Sequence, residues 1–268
     1  MFQIKAKLLY NKRVRGSCFC GIIDAPKIAK KAYPGQFVNV KISPDSDPLL
    51  RRPFSIHGIK GSSIKILYEV VGLATQVLSQ KKAGEYLDLI GPLGNGFSSQ
   101  PSAFSSQPSI LVAGGMGVAP LLFLAQKMRI QHPGSSTKVL IGAKTEGQIF
   151  CAKDFRGLGC EVKISTDDGS KGFQGKVTEL LEKILHARYC TLESIAIYAC
   201  GPRPMLKEIS RISGKYKIPA QISLEEHMAC GFGACLGCVV NTKEGFQRVC
   251  KEGPVFAADQ ILQTIDSR

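Results

Sequence analysis

The sequence predicts a mixed fold in three consecutive parts: an antiparallel β-barrel over residues 1–98, an α/β domain with a parallel sheet over 109–213, and a small cysteine-bearing module over 214–268. Three observations predict it. Short alternating apolar stretches fill the N-terminal third, strand-like and helix-like segments alternate after a break rich in Ser, Gln and Pro, and four cysteines cluster near the end at a fixed spacing.

Composition narrows the function classes. A chain of 268 residues, 44% hydrophobic and 21% charged, is globular rather than disordered or fibrous. The opening MFQIKAKLLYNKRVRG lacks the apolar core of a signal peptide, and the most hydrophobic segment, Ile110 to Ala125, is broken by GGMG and Pro120. The expectation is a cytoplasmic protein with no membrane association. Ten cysteines in a chain of this length fit a reduced compartment better than a disulfide scaffold. The net charge of +14 lies upstream, since residues 221–268 carry four Lys/Arg against six Asp/Glu. With no Trp and no interleaving of aromatic and basic residues, nucleic acid is not the expected partner. The charge reads instead as a solvated basic surface that also suits phosphate-bearing cofactors.

In the barrel, QFVNVKI (36–42) and SIKILYEVV (63–71) alternate as half-buried strands between Pro and Gly punctuation. Within LLRRPFSIHG (49–58), Arg52 can grip a pyrophosphate, Phe54 can lie against a flat ring, and Ser55 can donate to that ring's edge. A strand-edge arginine beside a core phenylalanine explains the same residues equally well. VVGLAT (70–75) adds a glycine and a hydroxyl for the same phosphates, and GPLGNGF (91–97) reads as a tight turn closing the barrel. Residues 98–109 have the composition of a linker.

The α/β domain opens on SILVAGG, a continuous apolar strand, followed by the helical VAPLLFLAQKMRIQ. KVLIGA (138–143), CEVKIST (160–166) and SIAIYAC (194–200) are further strands, and KVTELLEKILHA (176–187) is a helix between them. Such alternation indicates a parallel sheet. In VAGGMGVAPL (112–121), a strand ends in Gly114, Gly115 and Gly117 and opens a helix, which presents free N–H groups to a dinucleotide pyrophosphate. The spacing is not the full G-x-G-x-x-G, and no ribose-binding acid follows at the usual distance. YACGPRPML (198–206) ends another strand at Cys200 and Gly201, on what should be the same carboxyl edge.

The cysteines carry the most specific signal. Cys230, Cys235 and Cys238 form C-x4-C-x2-C, and Cys250 follows after eleven more residues. This is the plant-type ferredoxin spacing for a 2Fe-2S cluster. Gly231, Gly233, Ala234 and Gly237 leave the backbone free to turn the sulfurs inward. A four-cysteine zinc site is the alternative, although its pairs are usually separated by two to four residues on both sides.

Taken in order, these motifs resemble the ferredoxin-NADP reductase superfamily. LLRRPFSI, GPLGNGF, CGPRPMLK, MACGFGACLGCVV and VCKEGPVF narrow the resemblance to the electron-transfer subunits of NAD-dependent, type B dihydroorotate dehydrogenases, over nearly all of the chain. The resemblance implies FAD held by Arg52, Pro53, Phe54 and Ser55, by Leu67, Tyr68 and Glu69, and by Ala74 and Thr75. It implies a 2Fe-2S cluster on the four cysteines. NAD(H) is expected at Gly114, Gly115, Gly117, Cys200 and Gly201, with burial at a strand end explaining Cys200 equally well. The resemblance further implies an FMN-containing catalytic partner in a heterotetramer of two plus two. No acid, base or nucleophile of this chain is then expected to act on the organic substrate, and His57 and His227 are expected to serve structure. Ala74 stands where that family commonly has glycine, so its methyl would crowd a phosphate if the backbone there had a positive φ. A reductase subunit of a transhydrogenase, hydrogenase or sulfite reductase complex shares most of this architecture, and a zinc-binding interaction module is a third reading.

Overall fold

A computed structural model describes residues 1–43, 47–97, 108–187 and 195–261. The linker expected at 98–109 falls mostly outside these residues, as does Cys190. Among the described residues no helix is long and apolar enough to cross a membrane.

The N-terminal part is a closed six-stranded barrel. Its strands are β1 (Phe2–Arg15), β2 (Cys18–Asp24), β3 (Phe37–Lys41), β4 (Arg52–Lys60), β5 (Ser63–Glu69) and β6 (Tyr86–Leu93), joined in the order β1-β2-β5-β4-β3-β6. Period-two alternation sends Leu8, Ile23, Val38, Val40, Ile56, Ile64, Ile66 and Leu89 inside, where all are essentially inaccessible. Two short helices, α1 (Pro26–Ala29) and α2 (Leu73–Gln80), lie between strands.

The second part is a twisted parallel sheet of β7 (Ser109–Gly114), β8 (Thr137–Ala143), β9 (Glu161–Thr166), β10 (Phe173–Gln174), β11 (Ala196–Cys200) and β12 (Ala220–Ser223). Its helices are α3 (Val118–Gln131), α4 (Ala152–Gly157), α5 (Val177–Ala187) and α6 (Arg203–Tyr216). All six residues of β7 are buried, as a central parallel strand covered on both faces requires. Every residue of α3 from Val118 to Ala125 is also buried. The reason is that α3 serves two cores: Phe123 enters the barrel core, while Leu121, Leu122 and Leu124 pack in the sheet core. His57 on β4 is buried in this joint and donates from Nδ1 to the Ala119 carbonyl at 2.9 Å.

The expected division at residue 214 falls inside α6, and β12 carries the parallel sheet beyond it. The chain then forms the cysteine loop and a hairpin of β13 (Val239–Thr242) and β14 (Gly245–Arg248), and returns as β15 (Val255–Ala257). β15 pairs antiparallel with β12 and becomes the edge of the seven-stranded sheet β10-β9-β8-β7-β11-β12-β15. The GPLGNGF turn clasps this returning segment. Asn95 N–H donates to the Gly253 carbonyl at 2.5 Å, and its side chain donates to the Glu252 carbonyl at 3.0 Å. A Cβ at Gly94 would sit 2.6 Å from Pro254 Cδ, so the two segments meet too closely for any other residue.

Candidate functional site

The barrel motif sorts its two arginines by their partners. Arg51 makes a bidentate pair with Asp88, at 2.7 Å from Nη2 to Oδ2 and 3.1 Å from Nη1 to Oδ1. Arg52 donates to the carbonyls of Leu50 and Arg51 and has no carboxylate partner among the described residues, which leaves its charge uncommitted. Pro53 and Ser55 stand opposite Asn39 and Phe37 of β3, on the outward face of the barrel. Phe54 is opposite Val38 and turns inward. Its ring is 7% exposed and meets Tyr68 edge-on, at 5.6 Å and 65°. The expected open plate at Phe54 is therefore absent: strand alternation puts this ring in the barrel core. Tyr68 is likewise committed, stacked on Phe19 at 5.7 Å and donating to Asn11 Oδ1 at 2.8 Å. Leu67 faces the seam with the second domain, and Glu69 accepts from Ser17 Oγ at 2.8 Å.

Thr75 differs from expectation in the use of its hydroxyl. Oγ1 accepts from the N–H groups of Val71 and Gly72 at 3.0 and 3.2 Å and donates to the Gly72 carbonyl at 2.9 Å, so it holds the start of α2. Its donor is spent on the backbone. Ala74 lies in the first turn of α2 and is not among the residues with positive φ, so the feared crowding by its methyl does not arise.

On the sheet, β7 and β11 run parallel, with Cys200 opposite Ala113. Their carboxyl ends touch. A Cβ on Gly117 would sit 1.9 Å from the Cys200 carbonyl, and one on Gly201 would sit 3.0 Å from Gly114. Gly115 takes the left-handed region at φ +53°, which turns the strand into α3. The structure thus brings Gly114, Gly115, Gly117, Cys200 and Gly201 to one edge, where open α/β sheets bind ligands. Burial pushes the Cys200 thiol well above its usual range, so it remains neutral there.

The four tail cysteines gather as two pairs, Cys230 with Cys235 and Cys238 with Cys250. The Cys230 sulfur accepts from the Ala234 and Cys235 N–H groups at 3.3 and 3.5 Å, and the Cys238 sulfur accepts from Cys250 N–H at 3.4 Å. Burial alone would raise Cys230, but the N–H groups of Cys235, Phe232 and Ala234 outweigh it and hold the thiol down to about 6. Burial, and then the adjoining Cys238 sulfur, push Cys250 up to about 12. Among the described residues, no group of three or more His, Cys, Asp or Glu side chains stands arranged around one metal ion. Two thiol pairs with N–H groups aimed at the sulfurs are a donor set that suits a two-iron cluster, whose ligands must be thiolates.

Gly231 and Gly233 at φ +79° and +92° give the loop its turns. Arg248 ties the loop to the tail: it donates to the Gly233 carbonyl at 2.9 Å and pairs with Glu252. Sequence reading missed Arg248, whose only visible signal is its place two residues before Cys250. Cys18, Cys20, Cys151 and Cys160 are buried or half-buried thiols raised by burial, which marks them as packing groups.

A flavin-type barrel, a nucleotide-binding sheet and an iron–sulfur loop in one chain define a ferredoxin-NADP reductase-like oxidoreductase. Residues 225–262 match the iron-sulfur cluster binding domain of dihydroorotate dehydrogenase B, and residues 111–211 match the oxidoreductase NAD-binding domain. The chain is 40% identical over 263 residues to the dihydroorotate dehydrogenase B (NAD(+)) electron transfer subunit of Desulforamulus reducens, covering 96% of this chain and 97% of that one. It is 38% identical over 265 residues to the same subunit of Caldanaerobacter subterraneus subsp. tengcongensis, covering 97% and 99%. The chain belongs to this family of electron transfer subunits. In fold it is also similar to an NADH-dependent reduced ferredoxin-NADP oxidoreductase, with 25% identity, a TM-score of 0.83, and coverage of 98% of this chain and 93% of that one.

Proposed function

We propose that this chain carries electrons between NADH and an FMN-containing dihydroorotate dehydrogenase catalytic subunit of pyrimidine biosynthesis, in a cytoplasmic heterotetramer of two plus two. When bound, FAD takes up two electrons together and the 2Fe-2S cluster handles them singly. Arg52, Pro53 and Ser55 hold the flavin at the outward face of the barrel, with Leu67 and Glu69 at its margin and Phe54 and Tyr68 as a rigid floor within. The first turn of α2, with Ala74 and Thr75, offers backbone N–H groups to its phosphates. Gly114, Gly115, Gly117, Cys200 and Gly201 receive the nicotinamide nucleotide at the sheet edge. Cys230, Cys235, Cys238 and Cys250 would hold the cluster.

One observation carries this reading. Cys238 and Cys250 pack in the same hydrophobic core as Phe37, on the outer face of the strand that pairs with Arg52–Ser55, so the thiols and the flavin-binding stretch border one core. Cys235, Leu236 and Phe232 of the same loop lie at the surface, open to docking by the catalytic partner.

Barrel and sheet alone fit any reductase of this fold, including the ferredoxin-NADP type. The tail module and the relatives at about 40% identity favour dihydroorotate dehydrogenase, and an iron–sulfur domain replaces the zinc alternative. Anaerobic purification is expected to yield a coloured protein with FAD, iron and acid-labile sulfide, together with an FMN protein that supports dihydroorotate-dependent reduction of NAD. A colourless zinc protein, or recovery with a hydrogenase or ferredoxin partner, would overturn the proposal.

A further inference from the structure

Asn39 lies in β3 between Val38 and Val40, whose side chains fill the barrel. Alternation therefore turns Asn39 to the outer face, where it is completely buried. Its Nδ2 donates to the Cys230 carbonyl at 3.0 Å and to the Ala229 carbonyl at 3.4 Å. The loop presses on the amide from beyond: a Cβ on Gly231 would sit 2.5 Å from Nδ2. Across the sheet, the residue opposite Asn39 is Pro53. One side chain thus spans from the strand that pairs with the flavin-binding strand to the first cysteine of the cluster loop.

Its other end is costly. Oδ1 is buried with no hydrogen-bond partner among the described residues. An apolar side chain of similar size would avoid that cost, so packing alone does not account for an amide here. What the amide adds is the tie to the loop carbonyls.

We propose that Asn39 is a positioning residue that fixes the cluster loop against the strand beside the flavin-binding one and so sets the geometry of electron passage between the two cofactors. The inference rests on the assignment of flavin and cluster above. Cys230 is held at its carbonyl by Asn39 and at its sulfur by the N–H groups of Ala234 and Cys235. Releasing the carbonyl lets Cys230 shift relative to those donors, and hydrogen bonds to the sulfurs tune a cluster's potential.

Two variants remove the contact in different ways. Asn39→Leu removes the tie but keeps the bulk, and Asn39→Ser keeps a polar group too short to reach the loop carbonyls. Each is purified as the full complex with its catalytic partner. Both are expected to shift the electron paramagnetic resonance signature and midpoint potential of the reduced cluster. Iron loss to a chelator should accelerate roughly 10- to 100-fold, the range for outer-shell partners of metal ligands. In rapid-mixing experiments flavin reduction by NADH should keep its rate while cluster reduction slows. If Asn39→Leu does not fold, Asn39→Ser carries the same test. Unchanged resonance, potential and transfer rate in the folded variants would overturn the role of Asn39 alone. A parent complex without iron and sulfide would overturn both this inference and the function beneath it.

Discussion

Arg51 and Arg52 are chemically identical neighbours that the fold assigns to opposite tasks. Arg51 is held by Asp88, 37 residues downstream, and Arg52 is left with only backbone carbonyls. Replacing Arg51 by Ala should lower stability by about 1 kcal/mol, as expected for a partly exposed ion pair, and leave flavin content intact. Arg52→Ala should do the reverse, with near-normal thermal unfolding and a protein that loses FAD on gel filtration. Flavin absorbance per chain, measured beside a melting curve, separates the two. The motif spacing singled out Arg52, but the reason Arg51 is unavailable lies in a distant strand and could not be read locally. Phe54 shows the converse: residue type suggested a stacking plate, whereas the alternation of β4 decides that its ring points inward.

At the level of elements, the turn from β7 into α3 is set by contact rather than by propensity. Gly117 lies against the Cys200 carbonyl at the end of β11, so the glycine keeps two strand ends together. Gly117→Ala is expected to cost roughly 1–3 kcal/mol through overpacking and to weaken NADH binding by displacing the edge. Thermal unfolding and equilibrium NADH titration check the two effects separately. The alternation of strands and helices was legible in the sequence because each element carries its own period. What was not legible is who sits beside whom. Asn39 reads as an ordinary polar position in a strand, and its bond to Cys230 joins residues 191 apart. Likewise GPLGNGF reads as a barrel turn, while its grip on Gly253 and Pro254 depends on the chain returning there.

Across the whole molecule, barrel and sheet are joined through α3, and His57 sits at that joint. Burial lowers its pKa from the ordinary value, against the weaker opposing effect of its bond to the Ala119 carbonyl, so the folded protein keeps it neutral. In the unfolded chain the same imidazole takes up a proton near pH 6.5. Stability from this site is therefore complete above about pH 6.5 and declines as the pH falls from there through the depressed folded value. Melting temperature should drop between pH 7 and pH 5, and His57→Gln, which can still donate to Ala119 but does not titrate, should flatten part of that slope. The sheet also has a guarded flank. β15 covers β12 only because the chain travels out through the cysteine loop and comes back. Loosening the Asn95 clasp on Glu252 and Gly253 would free that return and expose β12 as an unpaired rim open to self-association.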